Sequence, residues 1–200
     1  IGPEGAVYAA WTEYEGRLWL ARSPDDGASF SAPVHVAGSD AAPARGPSLA
    51  VDSAGTVHLA WAVGEDPVAN IRYAHSKGAW NAFSPPRAVE KSEGHSDAPS
   101  LAVGPVGTVH LTYGESPGGP FQSYHVRYTR AVPGADSFAK PTVISDGGTG
   151  DYEEAHFPTL RPRGTDSLHV LWELYPPGAR RPQALAYTAS ADGGKTFAAP

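Results

Sequence analysis

The sequence predicts an all-β protein of repeated four-stranded antiparallel units, the arrangement of a β-propeller. Three observations predict it. The 23 glycines and 20 prolines among 200 residues break up any long helix and exceed average usage. The chain is nonetheless 40% hydrophobic with five Trp and nine Tyr, unlike a disordered chain. Finally, one four-strand pattern of alternating or apolar runs recurs along the whole chain.

The repeat is read from two sets of landmarks. The segments Pro47 to Trp61, Pro99 to Tyr113 and Pro158 to Trp172 each open Pro-Ser-Leu or Pro-Thr-Leu and close on an aromatic residue, and Ile1 to Trp11 is a fourth copy. The closing aromatics Trp11, Trp61, Tyr113 and Trp172 are 50, 52 and 59 residues apart. The second halves, Leu18 to Ser23, Ile71 to Ser76, Val126 to Ala131 and Leu185 to Ser190, are in register too. Each leads to Phe30, Phe83, Phe138 or Phe197, at spacings of 53, 55 and 59. In the second unit the strands are expected at 47–51, 56–62, 70–76 and 86–90, between Gly, Asp and Pro turns. A four-stranded meander at such a period is the sequence form of a propeller blade. A single propeller over 1–200 is expected, with approximate blades at 1–38, 44–91, 96–146 and 155–200.

Composition excludes several classes. The net charge is −6 and only 18% of residues are charged, so no basic stripe awaits a nucleic acid. The apolar runs are strand-length, so no membrane-spanning helix is expected. With no cysteine there are no disulfides, thiolate metal sites or cysteine nucleophiles.

Two third-to-fourth strand turns carry a sharper motif. Ser23-Pro24-Asp25-Asp26-Gly27-Ala28-Ser29-Phe30 and Ser190-Ala191-Asp192-Gly193-Gly194-Lys195-Thr196-Phe197 resemble the Asp-box, or BNR repeat, of the sialidase-like propeller superfamily. The Asp carboxylate can accept turn N–H groups, Gly supplies positive φ, and Phe anchors the hairpin. The resemblance implies a structural role for Ser23, Asp25, Gly27, Phe30, Ser190, Asp192, Gly194 and Phe197, on the face opposite any active site. It also implies a ring of six blades, of which about four are present, and a secreted or surface bacterial protein.

Functional groups are therefore expected on the other face, built by fourth-to-first and second-to-third connections. Glu13, Glu65, Glu115 and Glu173 follow the second-strand aromatics. The fourth-to-first connections hold Asp40, Arg45, Glu93, His95, Asp97, Asp146, Asp151, Tyr152, Glu153, Glu154 and His156. Arg45, Asp97 and His156 share one register, two residues before the first-strand proline. Ala44-Arg45-Gly46-Pro47 is similar to the sialidase stretch whose Arg grips the substrate carboxylate, and a guanidinium fork suits that task. By the same resemblance Asp97 is the acid/base candidate and Glu153 or Glu154 the partner of a nucleophilic Tyr, although no Tyr matches that position. Binding candidates are Arg45, His95, His156, Tyr152, Glu65, Glu115 and Glu173.

The same residues leave other readings open. His95, His156, Tyr152 and Arg45 could serve a polysaccharide lyase, in which a base removes a proton beside a neutralised uronate. The Asp146 to Asp151 loop offers oxygen ligands for Ca²⁺, although an ordinary Gly-rich turn explains it as well. No other metal site is expected. His58, His110 and His169 share a second-strand position and read as packing. The leading expectation is carbohydrate recognition, with hydrolysis of a glycosidic bond possible. A non-catalytic protein-interaction scaffold is the alternative, since a propeller fold alone cannot decide.

Overall fold

The computed structural model describes residues 1–64, 68–120, 123–135, 137–145 and 154–200. Among them there is no α-helix, only a 3₁₀ turn at Pro3–Gly5. The rest is four antiparallel sheets. The first holds β1 (Val7–Thr12), β2 (Leu18–Ser23) and β3 (Val34–Ala37). The second holds β4 (Ala44–Val51), β5 (Val57–Val63), β6 (Asn70–Lys77), the hairpin strand β7 (Ala79–Phe83) and β8 (Arg87–Ala88). The third is β9 (His95–Val103), β10 (Val109–Ser116), β11 (His125–Ala131) and β12 (Thr142–Val143). The fourth is β13 (Glu154–Arg163), β14 (Ser167–Tyr175) and β15 (Ala184–Ser190).

Each sheet is a meander in chain order, and apolar residues between consecutive sheets form the core. Leu18, Leu20, Leu59 and Trp61 fill the first junction. Ile71, Tyr73, Leu111 and Tyr113 fill the second, and Val126, Leu160, Val170 and Trp172 the third. The closing aromatics explain the repeat, because Trp61, Tyr113 and Trp172 are each 1–2% exposed. Trp11, on the outer side of the first sheet, is 37% exposed. Removing any buried member of this set would cost about 3–5 kcal/mol.

The Pro-Ser-Leu register has its own physical cause. Ser48 Oγ accepts the N–H of Leu101 in the next sheet at 2.9 Å, and Ser100 Oγ accepts that of Leu160 at 3.0 Å. A recurring hydroxyl thus satisfies a backbone donor that would otherwise be lost between sheets. The repeated histidines pair with a third-strand tyrosine. Nδ1 of His58, His110 and His169 lies 2.6, 2.8 and 2.7 Å from Oη of Tyr73, Tyr128 and Tyr187. Burial, then the nearby Arg130 charge, lowers the His110 pKa to about 4.

One expectation needs correction. Arg45, His95, Asp97, Glu154 and His156 are on strands, not on connecting loops, because β4, β9 and β13 start before their prolines. The reason is a β-bulge. Pairing shifts between Arg45 and Ser48, between Asp97 and Ser100, and between His156 and Thr159. The residue just before each proline is left-handed: Gly46 at φ 53, Ala98 at φ 50 and Phe157 at φ 51. The bulge seats a residue without an N–H inside a paired strand and re-aims the side chain before it. Glu115 and Glu173 likewise lie within β10 and β14 rather than at loop starts.

Candidate functional site

The bulges of β9 and β13 open onto one cavity of about 590 Å³ between the third and fourth sheets. Asp97, Glu154 and His156 line it, with the rings of Tyr124, Phe157 and Tyr175 and the loop residues Gly178 to Arg180. Asp97 pairs with Gly114 across the strands, and its Oδ1 accepts the Ala98 N–H at 2.7 Å. That bond fixes one oxygen of a carboxylate that lines the cavity. A Cβ on Gly114 would crowd the Tyr124 ring at 3.3 Å.

The opposite wall is a chain of polar and aromatic contacts. Glu154 Oε2 accepts from His156 Nε2 at 2.7 Å. The His156 ring lies 4.4 Å from Tyr124 and 4.9 Å from Tyr175, centroid to centroid. Tyr124 Oη is 2.9 Å from Nδ1 of the buried His95. Tyr175 Oη donates to Glu173 Oε2 at 2.6 Å. Burial, the hydrogen bond to Glu173 and the charges of Glu173 and Glu154 push the Tyr175 pKa up to about 12, so its phenol stays protonated. The cavity thus offers two carboxylates from adjacent sheets, an imidazole coupled to one of them, and flat apolar surfaces. Such groups can move a proton onto or off a bound oxygen, and the rings can cover the C–H face of a sugar.

The other sequence candidates fall elsewhere. Arg45 stands at the equivalent bulge of the neighbouring sheet, and Nε and Nη2 of its guanidinium are buried without a hydrogen-bond partner among the described residues. Neither Arg45 nor Gly46 lines the cavity, although a Cβ on Gly46 would stand 3.9 Å from Asp97 Oδ1. Glu115 is turned away: it is 7% exposed, takes the Ser92 hydroxyl, and pairs with Arg127 Nε at 2.8 Å. Arg127 also reaches Glu90 Oε2 at 3.3 Å. Glu115 and Glu173 stand two and one residues after their aromatics, so they point to opposite strand faces and form no shared acidic ring. Glu65, Tyr152, Glu153, Asp146 and Asp151 lie outside the described residues. No cluster of three or more His, Asp or Glu among the described residues could hold a metal ion.

Tyr124, Phe157 and Tyr175 were missed by sequence reasoning. Phe157 was within reach, since it adjoins His156 in the bulge register. Tyr175 and Tyr124 fall where the repeat is irregular and left no signal.

At the opposite ends of the strands lie the two Ser-x-Asp turns. Asp25 Oδ1 accepts the Ser29 N–H at 2.9 Å and the Ser23 hydroxyl at 2.7 Å, and Oδ2 accepts the Ser29 hydroxyl at 2.6 Å. Asp192 repeats the pattern with Ser190 and Thr196 at 2.7, 3.0 and 2.6 Å. The Ser29 hydroxyl, the Ser23 hydroxyl and the Ser29 N–H hold the Asp25 pKa at about 2. The Thr196 bonds and then Ser190 lower that of Asp192 likewise.

Neither a family model nor a curated protein matches the chain. Solved structures do. A protein of unknown function from Dyadobacter fermentans aligns with 96% of the chain at 20% identity and a TM-score of 0.65. The α-L-arabinofuranosidase ARB93A of Fusarium graminearum aligns with 96% at 12% identity and 0.65. An intramolecular trans-sialidase from Ruminococcus gnavus aligns with 92% at 13% identity and 0.58. The chain has a β-propeller fold similar to that of these proteins. It spans 51%, 61% and 40% of these three proteins' lengths. The likeness runs to arabinan-active enzymes as well as to a sialidase, so it is broader than the Asp-box resemblance. No helix among the described residues is long and apolar enough to cross a membrane.

Proposed function

We propose that the chain is a carbohydrate-active propeller whose cavity between β9 and β13 binds a glycan and supports hydrolysis of its glycosidic bond. One observation carries this reading: Asp97 from one sheet and the Glu154–His156 pair from the next face a single cavity walled by three aromatic rings. Hydrolysis of a glycoside needs a carboxyl that gives a proton to the leaving oxygen and a second carboxylate opposite it. Asp97 takes the first role and Glu154, held by His156, the second. Arg45 fits the carboxylate of an acidic sugar, which is the sialidase-like version of the proposal. The exposed outer faces of the first and fourth sheets support the expectation of further blades, and a polymeric glycan substrate agrees with an extracellular location.

The test is a glycan array followed by hydrolysis assays on the bound glycans. Asp97→Asn and Glu154→Gln should abolish turnover while binding persists, and Tyr124→Ala should abolish binding. A folded chain that binds no glycan would sink the reading and leave a protein-interaction scaffold.

A second reading has one contact in its favour. Tyr124 Oη, hydrogen-bonded to His95 and beside His156, suits the proton abstraction of a polysaccharide lyase acting on a uronate. An unsaturated, ultraviolet-absorbing product from a uronic acid polymer would decide for the lyase over the hydrolase.

A further inference from the structure

The first junction between sheets leaves uncapped an arginine that a later junction caps. Arg22 on β2, His75 on β6 and Arg130 on β11 hold one register of the repeat. In the third-to-fourth junction the Ser190–Phe197 turn lies on that position: Arg130 donates to the Gly193 carbonyl, and Phe197 meets the Tyr128 ring edge-on at 4.8 Å. In the first-to-second junction the tight β6–β7 hairpin, with Gly78 at φ 74, takes the place of such a turn. It brings the Trp80 ring edge-on to Tyr8 at 6.5 Å. Arg22 Nε is buried without a hydrogen-bond partner among the described residues, and the guanidinium lies 5.9 Å from the Tyr8 ring centre.

Arg22 and Trp80 instead line a cavity of about 290 Å³, together with Pro24, Ser29, Phe30 and Ser31. Both serine hydroxyls have their protons engaged. Ser29 Oγ donates to Asp25 Oδ2 at 2.6 Å, and Ser31 Oγ donates to the Ala32 carbonyl at 3.1 Å. The cavity therefore offers donors from Arg22 and acceptors from the serines. A bound hydroxyl satisfies both, because it accepts and donates. A carboxylate only accepts, and it would also stand near Asp25, whose bonds to Ser29 and Ser23 hold its pKa at about 2 and keep it charged. The rings add flat apolar surface, with Phe30 48% exposed and Trp80 half-buried. The site lies at the opposite strand ends from the Asp97 cavity.

We propose that this cavity is a second ligand site that takes one neutral sugar ring of a glycan, with adjacent hydroxyls on Arg22, Ser29 and Ser31 and the C–H face of the ring on Trp80. The guanidinium fork matches two neighbouring hydroxyl oxygens. The volume is at the lower end of small-molecule sites and suits a single ring. Held through one ring, the sugar binds with roughly millimolar strength, below what a glycan array registers.

The probes are the methyl glycosides of glucose, galactose, xylose and arabinose, with methyl glucuronide as the anionic counterpart. Each is titrated into the isotope-labelled full chain, and the Trp80 indole N–H resonance, assigned through Trp80→Phe, is followed by NMR. At least one neutral glycoside should shift that resonance saturably, and the glucuronide should bind no tighter. The shift should persist in Tyr124→Ala, which silences the Asp97 cavity. Arg22→Met keeps the aliphatic stem and strands no hydrogen-bond partner, so its urea midpoint should match the parent's while affinity falls roughly tenfold. Phe30→Ser, at an exposed position, should fold normally and weaken binding severalfold. No saturable shift with any neutral glycoside, tighter binding of the glucuronide, a shift lost in Tyr124→Ala, or affinity unchanged in both Arg22→Met and Phe30→Ser would each overturn the proposal.

Discussion

Two glycines at the same turn position provide a matched test of how the sheets are joined. Gly27 and Gly194 each occupy the fifth position of a Ser-x-Asp turn with φ of 91 and 80. A Cβ on Gly27 would meet nothing within 4 Å, whereas one on Gly194 would stand 1.9 Å from Tyr128 Oη and 2.4 Å from Cζ. Gly27→Ala therefore incurs only the left-handed backbone cost of about 1–2 kcal/mol. Loss of unfolded-chain entropy offsets about 0.4–1 kcal/mol of it. Gly194→Ala adds overpacking of a sheet junction, typically about 1–3 kcal/mol. The expected net losses are roughly 0.5–1 and 2–4 kcal/mol. Urea unfolding followed by tryptophan fluorescence and far-ultraviolet circular dichroism measures both. Tyr128→Phe, which removes the nearest clashing atom, should recover part of the Gly194→Ala loss in the double variant. Equal losses for the two glycine variants, or strict additivity of the double variant, would refute the idea that this turn is wedged against the neighbouring sheet.

Other outcomes follow from the same geometry. The His110 pKa falls from the ordinary 6.5 to about 4 in the folded chain, so the unfolded chain binds more protons in that window. Stability is full above pH 6.5 and falls as pH drops toward 4, by up to roughly 3 kcal/mol from this group. His110→Gln should flatten that slope between pH 7 and 4.5 in urea titrations, His58 and His75 contributing what remains. Ser100→Ala strands the Leu160 N–H and should cost about 1–3 kcal/mol by the same assay. Phe157 holds a left-handed φ of 51 that only a glycine adopts freely. Phe157→Gly should therefore leave stability unchanged or raise it by about 1 kcal/mol while weakening glycan binding, and a large destabilisation in calorimetry would contradict this.

How far the sequence foretold these features depends on whether a residue repeats. The strand pattern, the buried Trp61 and Trp172, and the His58 and His110 packing positions recur at fixed register, because every sheet must solve the same junction. The Pro-Ser-Leu motif was equally visible, but its hydroxyl bond to the next sheet was not, since that partner is 53 residues away for Ser48. Sequence gives no view of Arg127, which approaches Glu115 from the adjacent strand and pairs with it. Tyr124 and Tyr175 belong to stretches where one unit departs from the others, and periodicity is silent about such departures.

The bulge explains why candidate chemistry gathers where it does. A strand whose side chains alternate strictly can present only one residue in two to a given face. Inserting an extra residue before the proline breaks that alternation at one point in each of the second, third and fourth sheets while pairing continues on both sides. Ser48 and Ser100, just after their prolines, remain committed to the junction, and the residue two before the proline is released from the strict alternation. Arg45, Asp97 and His156 differ in charge and size at this position, whereas the prolines beside them do not differ at all. A scaffold under uniform packing constraint can vary freely only at such released positions. Left-handed strain at a large exposed aromatic such as Phe157, where the equivalent sheet uses glycine, is then best understood as a cost retained for the cavity wall it supplies.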